Sequence, residues 1–162
     1  MAPDAREPAA PEPRRGVMSL PVRLRPGEDL RRGLEEAVRA ARWPGAFAIC
    51  GIGSLSDPRL RFAGAREDTA LGGPFEIVSL SGTITAQGSH LHMVVAGVDG
   101  RVWGGHASPG NIIRTTAEVL LAALPDWALS RQFDADTGFS ELVVRRLSGG
   151  EDPHEAPAVP GP

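Results

Sequence analysis

Apolar positions along the chain change period several times, and each change marks an element. After the Pro26-Gly27 break, Leu30, Leu34, Ala37, Val38 and Ala41 recur at i, i+4, i+7, i+8 and i+11, which predicts one amphipathic helix. Glu28 and Asp29 stand at its start, where the helix dipole favours acids, and Arg39 and Arg42 at its end, where it favours bases. Trp43-Pro44-Gly45 stops it. The pattern then shortens to that of strands. Ala46 to Ile52 reads as a buried strand entering the loop Gly53 to Pro58, and Leu60 to Ala63 as another. Phe75 to Ile84 and Leu91 to Ala96 are rich in β-branched residues, and Val98-Asp99-Gly100 turns the second of these back into Arg101 to His106 as a hairpin. Thr115 to Leu124 carries Ala and Leu that favour helix; its threonines and valine, in a β-rich stretch, tip the reading to strand. A last strand, Phe139 to Leu147, follows the turn-like segment Asp134 to Gly138.

Outside this patterned region the pattern fades. Residues 1–16 hold eight Ala or Pro and no Val, Ile, Leu or Phe, so nothing there offsets the entropy of ordering, and a disordered tail is expected. Residues 149–162 hold seven Gly or Pro and three acids with no base, which predicts a second flexible tail. Between them, residues 17–148 form one domain with 14 arginines and 14 acidic residues, an electrically balanced unit. At 162 residues the chain is long enough to bury roughly 68–70% of its unfolded surface, so its stability does not demand a staple. No run approaches the roughly 18 apolar residues of a membrane helix, and the N-terminus has no secretory pattern; a soluble, cytoplasmic protein with no membrane partner is expected.

Composition removes whole reaction classes. The single Cys50 excludes an internal disulfide framework and a cysteine-cluster zinc site. All 17 basic residues are Arg, and the absence of Lys excludes Schiff-base chemistry and the phosphate-loop lysine motif. Gly51-Ile52-Gly53 lacks the third glycine and the following helix of a dinucleotide fingerprint, and no Gly-x-Ser-x-Gly frame surrounds Ser79, Ser81 and Thr83.

What remains is a set of histidines. His90 and His92 are spaced i, i+2, so in a strand both rings point to one side. The third, His106, lies on the other arm of the hairpin. If the loop is the three residues Val98, Asp99 and Gly100, then Gly97 pairs with Arg101 and His92 lies opposite His106; an even-numbered loop sends His106 to the other face. Three imidazoles match an open zinc site with one position left for water, a carboxylate or a substrate, and iron, nickel and cobalt accept the same donors. Zinc or another divalent transition metal is therefore the candidate cofactor, and half-buried histidines pairing across a hairpin without an ion are the alternative. Candidate ligand-binding residues around them are Gly104 and Gly105, which either admit a ligand to the backbone or form a bulge and turn, with Glu76, Glu118 and Arg114 as carboxylate and cation candidates.

The runs GPFEIVSLSGTI, GSHLHMVVAGVDGRVWGGH and GNIIRTTAEVLL, with TGFSEL near the end, together resemble the PPC domain of plants and prokaryotes. The likeness extends over most of residues 18–147, and its most specific part is the stretch from His90-Leu91-His92 to Gly104-Gly105-His106. The resemblance implies an α+β fold with a mostly antiparallel sheet and one main helix, a homotrimer, and a metal clustered by His90, His92 and His106. It also brings DNA in as a candidate partner, since plant members join the domain to an AT-hook and bacterial members are described as DNA-binding, although in the plant proteins the domain itself serves largely for self-association and partner contacts. The hook's Arg-Gly-Arg-Pro core is absent here, and a balanced domain supplies no surplus of cations for phosphates. The three-histidine pattern is more distantly similar to acetolactate decarboxylase. The functions expected are thus a metal-binding regulatory protein that senses a small-molecule ligand or contacts DNA, a metal-dependent enzyme acting on a small oxo- or hydroxy-acid, or a trimerisation module alone.

Overall fold

The computed structural model describes residues 16–147; the expected tails fall outside the described residues apart from Gly16. In chain order the elements are β1 (Met18–Leu24), α1 (Leu30–Ala40), β2 (Ala46–Leu55), β3 (Arg59–Arg61), β4 (Thr69–Ala70), β5 (Phe75–Thr85), β6 (Gly88–Gly97), β7 (Val102–Ala107), β8 (Ile113–Ala123), β9 (Trp127–Asp134) and β10 (Phe139–Arg146). Every strand pairing is antiparallel, as expected of the α+β reading. Eight strands form one sheet in the order β1-β8-β2-β5-β6-β7-β3-β4, and β9 and β10 form a separate two-stranded ribbon.

The helix is built as its sequence predicts. Asp29 caps it, accepting from the Arg32 amide at 2.9 Å, and its second carboxylate oxygen accepts from the Gly110 amide at 2.7 Å, which ties the start of α1 to the turn after β7. Leu30, Leu34 and Val38 form its buried stripe. They pack on one face of the sheet against Leu80, Ile84, Leu91, Met93, Val95 and Leu121. Full burial of side chains of this size is worth roughly 1.5–3 kcal/mol each, so the stripe alone fixes which face of the sheet is inside.

Strand alternation then decides what faces outwards. On β6, Leu91, Met93 and Val95 are buried, so His90, His92 and Val94 lie on the side away from the helix. Ser89, on the inner side, donates to Glu35 of α1 at 2.6 Å, which anchors the register. The segment read as strand over Thr115 to Leu124 is strand as its context predicted, in β8, which begins two residues earlier and ends one residue sooner. Three strands went unread in the sequence: β1, the two-residue β4, and β9. No helix among the described residues is long and apolar enough to cross a membrane.

Candidate metal centre

The hairpin closes through the three-residue loop. The Gly97 amide donates to the Arg101 carbonyl at 2.9 Å, the Gly100 amide donates back to the Gly97 carbonyl at 2.9 Å, and Gly100 adopts φ +77°, the left-handed conformation that such a loop needs. His92 therefore stands directly opposite His106. Directly opposed residues project to the same side, and His90, two residues along β6, joins them.

The rings converge. His90 Nε2 lies 3.1 Å from His92 Nε2 and 3.1 Å from His106 Nδ1, and one nitrogen from each ring falls within 4.8 Å of the others. An imidazole nitrogen offers either one N–H or one lone pair, so His90 Nε2 satisfies only one neighbour fully. A tetrahedral ion with nitrogens at about 2.0–2.1 Å would hold them about 3.3–3.4 Å apart, close to the two 3.1 Å separations that His90 makes. The residues present thus fit a three-histidine ion. Burial, the largest cause, then the Arg131 guanidinium and the His92 ring hold His90 below the ordinary imidazole value; Glu141 opposes this and Arg61 adds to it. His106 is lowered by burial first, then by Arg61 and the two other rings. Both shifts favour the neutral imidazole, the form with a lone pair to give.

Glycines bring the strands close at this point. Gly82, with φ +147°, is opposite Leu91, and a Cβ on it would run into the His90 carbonyl oxygen and stand 2.8 Å from the Leu91 Cα. Gly104 and Gly105 form neither bulge nor turn: they pair regularly with Val94 and Met93 inside β7. A Cβ on Gly105 would stand 2.7 Å from the Arg61 carbonyl oxygen, so this glycine lets β3 lie flat against β7. Glu76, Arg114 and Glu118 are exposed, and neither these three nor Gly104 and Gly105 line the groove that opens beside the histidines.

That groove, of about 1000 Å³, runs along His90 and His106 and is walled by residues the sequence reading passed over. Arg61 stands directly opposite His106 in the β3–β7 register, so a cross-strand row Ser81, His92, His106, Arg61 spans four strands. Asn111, fully buried, holds β3 in place: it accepts from the Arg59 amide at 2.9 Å and donates to the Arg59 and Ser108 carbonyls at 3.0 and 2.6 Å. From the ribbon comes Arg131, which donates to Thr83 Oγ1 at 2.8 Å and to the Ser140 carbonyl at 2.9 Å. Thr83 is the residue opposite His90. A sequence signal for β9 did exist in the alternation of Trp127, Leu129, Arg131 and Phe133 ahead of a turn; the pairing of β3 with β7 left none.

The chain has well-matched relatives. Over 143 residues it is 41% identical to the bifunctional protein GlmU of Synechococcus sp. strain JA-3-3Ab, an alignment covering 88% of this chain and 23% of that one. The chain therefore spans less than a quarter of the length of the curated relatives it matches. A hypothetical protein from Salmonella cholerae-suis shares its fold with a TM-score of 0.78 and 36% identity, covering 82% of this chain and 96% of that one. A metal-containing protein from Archaeoglobus fulgidus does so with a TM-score of 0.68 and 28% identity, covering 78% and 93%. Residues 13–125 match the profile described as the Plants and Prokaryotes Conserved domain, and with that match over the larger part of its length the chain belongs to this family.

Proposed function

We propose that the domain is a metal-dependent ligand-binding module, in which His90, His92 and His106 hold one divalent transition metal, zinc among the candidates, and leave a coordination position open to a small molecule. The observation that carries this reading is the convergence of three ring nitrogens, two separations of which are 3.1 Å, on a face where burial and arginines favour the neutral imidazole. The metal-containing relative from Archaeoglobus fulgidus supports it. When bound, such an ion supplies Lewis acidity, which serves either sensing of a ligand or turnover of a small oxo- or hydroxy-acid. The groove beside the histidines supports the small-molecule reading over a DNA contact, because the described residues carry no surplus of cations to displace counterions. The reading includes self-association as a homotrimer, supported by apolar side chains left on the outer sheet face: Ile49, Ile52 and Val78 are each more than half exposed.

Metal analysis of the purified protein tests the centre. One ion per chain is expected, and a His90→Ala/His92→Ala double variant should lose it while keeping its far-ultraviolet circular dichroism. Stoichiometric metal that survives the double substitution overturns the ligand assignment.

A further inference from the structure

The groove is unequal in charge. Arg31, Arg61, Arg66 and Arg131 line it against two acids, Asp68 and Glu141. Of the four arginines only Arg31 has a carboxylate partner among the described residues, Glu35 at 3.1 Å. The two acids are engaged by hydroxyl groups, Asp68 by Ser108 at 2.6 Å and Glu141 by Thr137 at 3.1 Å. In a domain with equal numbers of arginines and acids, a concentration of unpaired guanidinium groups in one concavity is a specific placement rather than a consequence of composition.

The two arginines nearest the histidines differ in how they are held: Arg131 is pinned, and Arg61 is left with its guanidinium available. Arg61 is opposite His106 in the register, and among the described residues its guanidinium reaches only the Ala65 carbonyl, at 3.5 Å. Arg131 is pinned by Thr83 and Ser140, and its backbone amide donates to Gln87 Oε1 at 3.3 Å. Its Nε is the one buried side-chain nitrogen or oxygen among the described residues left without a partner. A guanidinium fixed by its surroundings loses little entropy when it binds an anion, and its fork suits the paired oxygens of a carboxylate or phosphate. The ribbon that brings Arg131 begins at Trp127, past residue 125 where the family match ends, so this wall of the groove lies outside the matched region.

We infer that the groove binds a small organic oxyanion, with its charged oxygens held between Arg61 and Arg131 and directed at the open side of His90, His92 and His106. The inference rests on the metal reading for the last contact only; the two guanidinium groups define the anion site by themselves. It deepens that reading by naming the ligand's chemistry: a carboxylate or phosphate on a molecule small enough for the groove.

The test titrates malonate and, separately, inorganic phosphate into cobalt-loaded and metal-free protein, following heat by calorimetry and the visible cobalt bands. The expected result is binding of at least one anion at millimolar concentration or below, with a change in the cobalt bands, weakened roughly tenfold or more in both Arg61→Gln and Arg131→Gln. Malonate preferred over phosphate assigns a carboxylate ligand, and the reverse a phosphate. Arg131→Lys, which keeps the charge and loses the fork, guards against a ribbon that no longer docks, and it should recover part of the affinity. Equal, arginine-dependent binding in protein that takes up no cobalt retains the anion site and removes the metal reading. No binding of either anion to loaded protein, or binding indifferent to both arginines, overturns the inference. So does arginine-dependent binding of duplex DNA with a steep salt slope and no response to the small anions.

Discussion

The outer face of the large sheet is two surfaces laid side by side. Across β6, β7 and β3 it carries three imidazoles and the Arg61 guanidinium; across β8, β2 and the first half of β5 it carries Leu120, Ile52 and Val78, with Ile49 exposed at an irregularity in β2. The inner face shows no such division, being mostly apolar from β1 to β7, with Ser89 a polar exception that bonds Glu35 of α1. The difference is instructive because both outer surfaces obey the same alternation. Period-2 patterning sorts residues into in and out, and it says nothing about what an outward residue is for. The proposed chemistry and the proposed self-association fall on adjacent strands of one face, and the boundary between them runs near β5, where Thr83 belongs to the first and Val78 to the second.

The sharpest way to separate the two surfaces is to charge the apolar one. Ile52→Glu with Val78→Glu should reduce the sedimenting species to a single chain, since each side chain loses roughly 1.5–3 kcal/mol of burial in the proposed trimer. Metal stoichiometry should stay at the unsubstituted value. Loss of metal together with the oligomer would mean that the two surfaces act as one site, and an unchanged sedimentation coefficient would remove this face from the interface.

The histidine-bearing surface was readable in the sequence and the apolar one was not. Ala46 to Ile52 reads as a buried strand, whereas Ile49 and Ile52 are more than half exposed because only alternate positions of β2 face the helix. The helix announced itself because its stripe, cap and stop agree locally, with Asp29 and Trp43-Pro44-Gly45 at its ends. The three histidines were readable because the loop that sets their register is short and contains the one residue, Gly100, suited to its φ. Arg61 was not, because its place opposite His106 comes from a pairing between segments about 45 residues apart that no local pattern encodes. Arg131 was hidden for a related reason: the ribbon is joined to the site by Thr83 and Gln87 side chains, which no strand period reports. Gly104 and Gly105 misled in another way. A glycine pair suggests a turn, whereas here it marks a flat approach of backbone to backbone.

A smaller effect sharpens the comparison from the strand side. Gly82→Ala places a methyl group against the His90 carbonyl at a φ that side chains rarely adopt, and should cost about 1–3 kcal/mol in denaturant unfolding. The same substitution at Gly104, where the nearest atom to a Cβ is 3.5 Å away, should cost less. Equal costs would show that strand spacing at the histidines is not under the constraint described.

The smallest effect is on acid stability. His90 and His106 both titrate below the ordinary value of 6.5, so as the pH falls past 6.5 the unfolded chain takes up protons before the metal-free fold does. The fold therefore loses stability from that point down to the native values, and these two groups add no slope above it. Thermal melts of metal-free protein between pH 8 and 5 should show this loss, and a His90→Gln/His106→Gln variant should show less of it. A pair of parallel profiles would mean that these rings do not resist protonation.

The separation of ligands along the chain has a consequence for assembly. His90 and His106 are only 16 residues apart and share a hairpin, whereas Arg131 meets Thr83 across 48 residues. Closing the longer span costs about 1 kcal/mol more in chain entropy by the logarithmic rule. The proposed cation-holding half of this site is thus a local structure that one hairpin completes by itself, and the proposed anion-holding half forms only once distant parts of the polypeptide have docked.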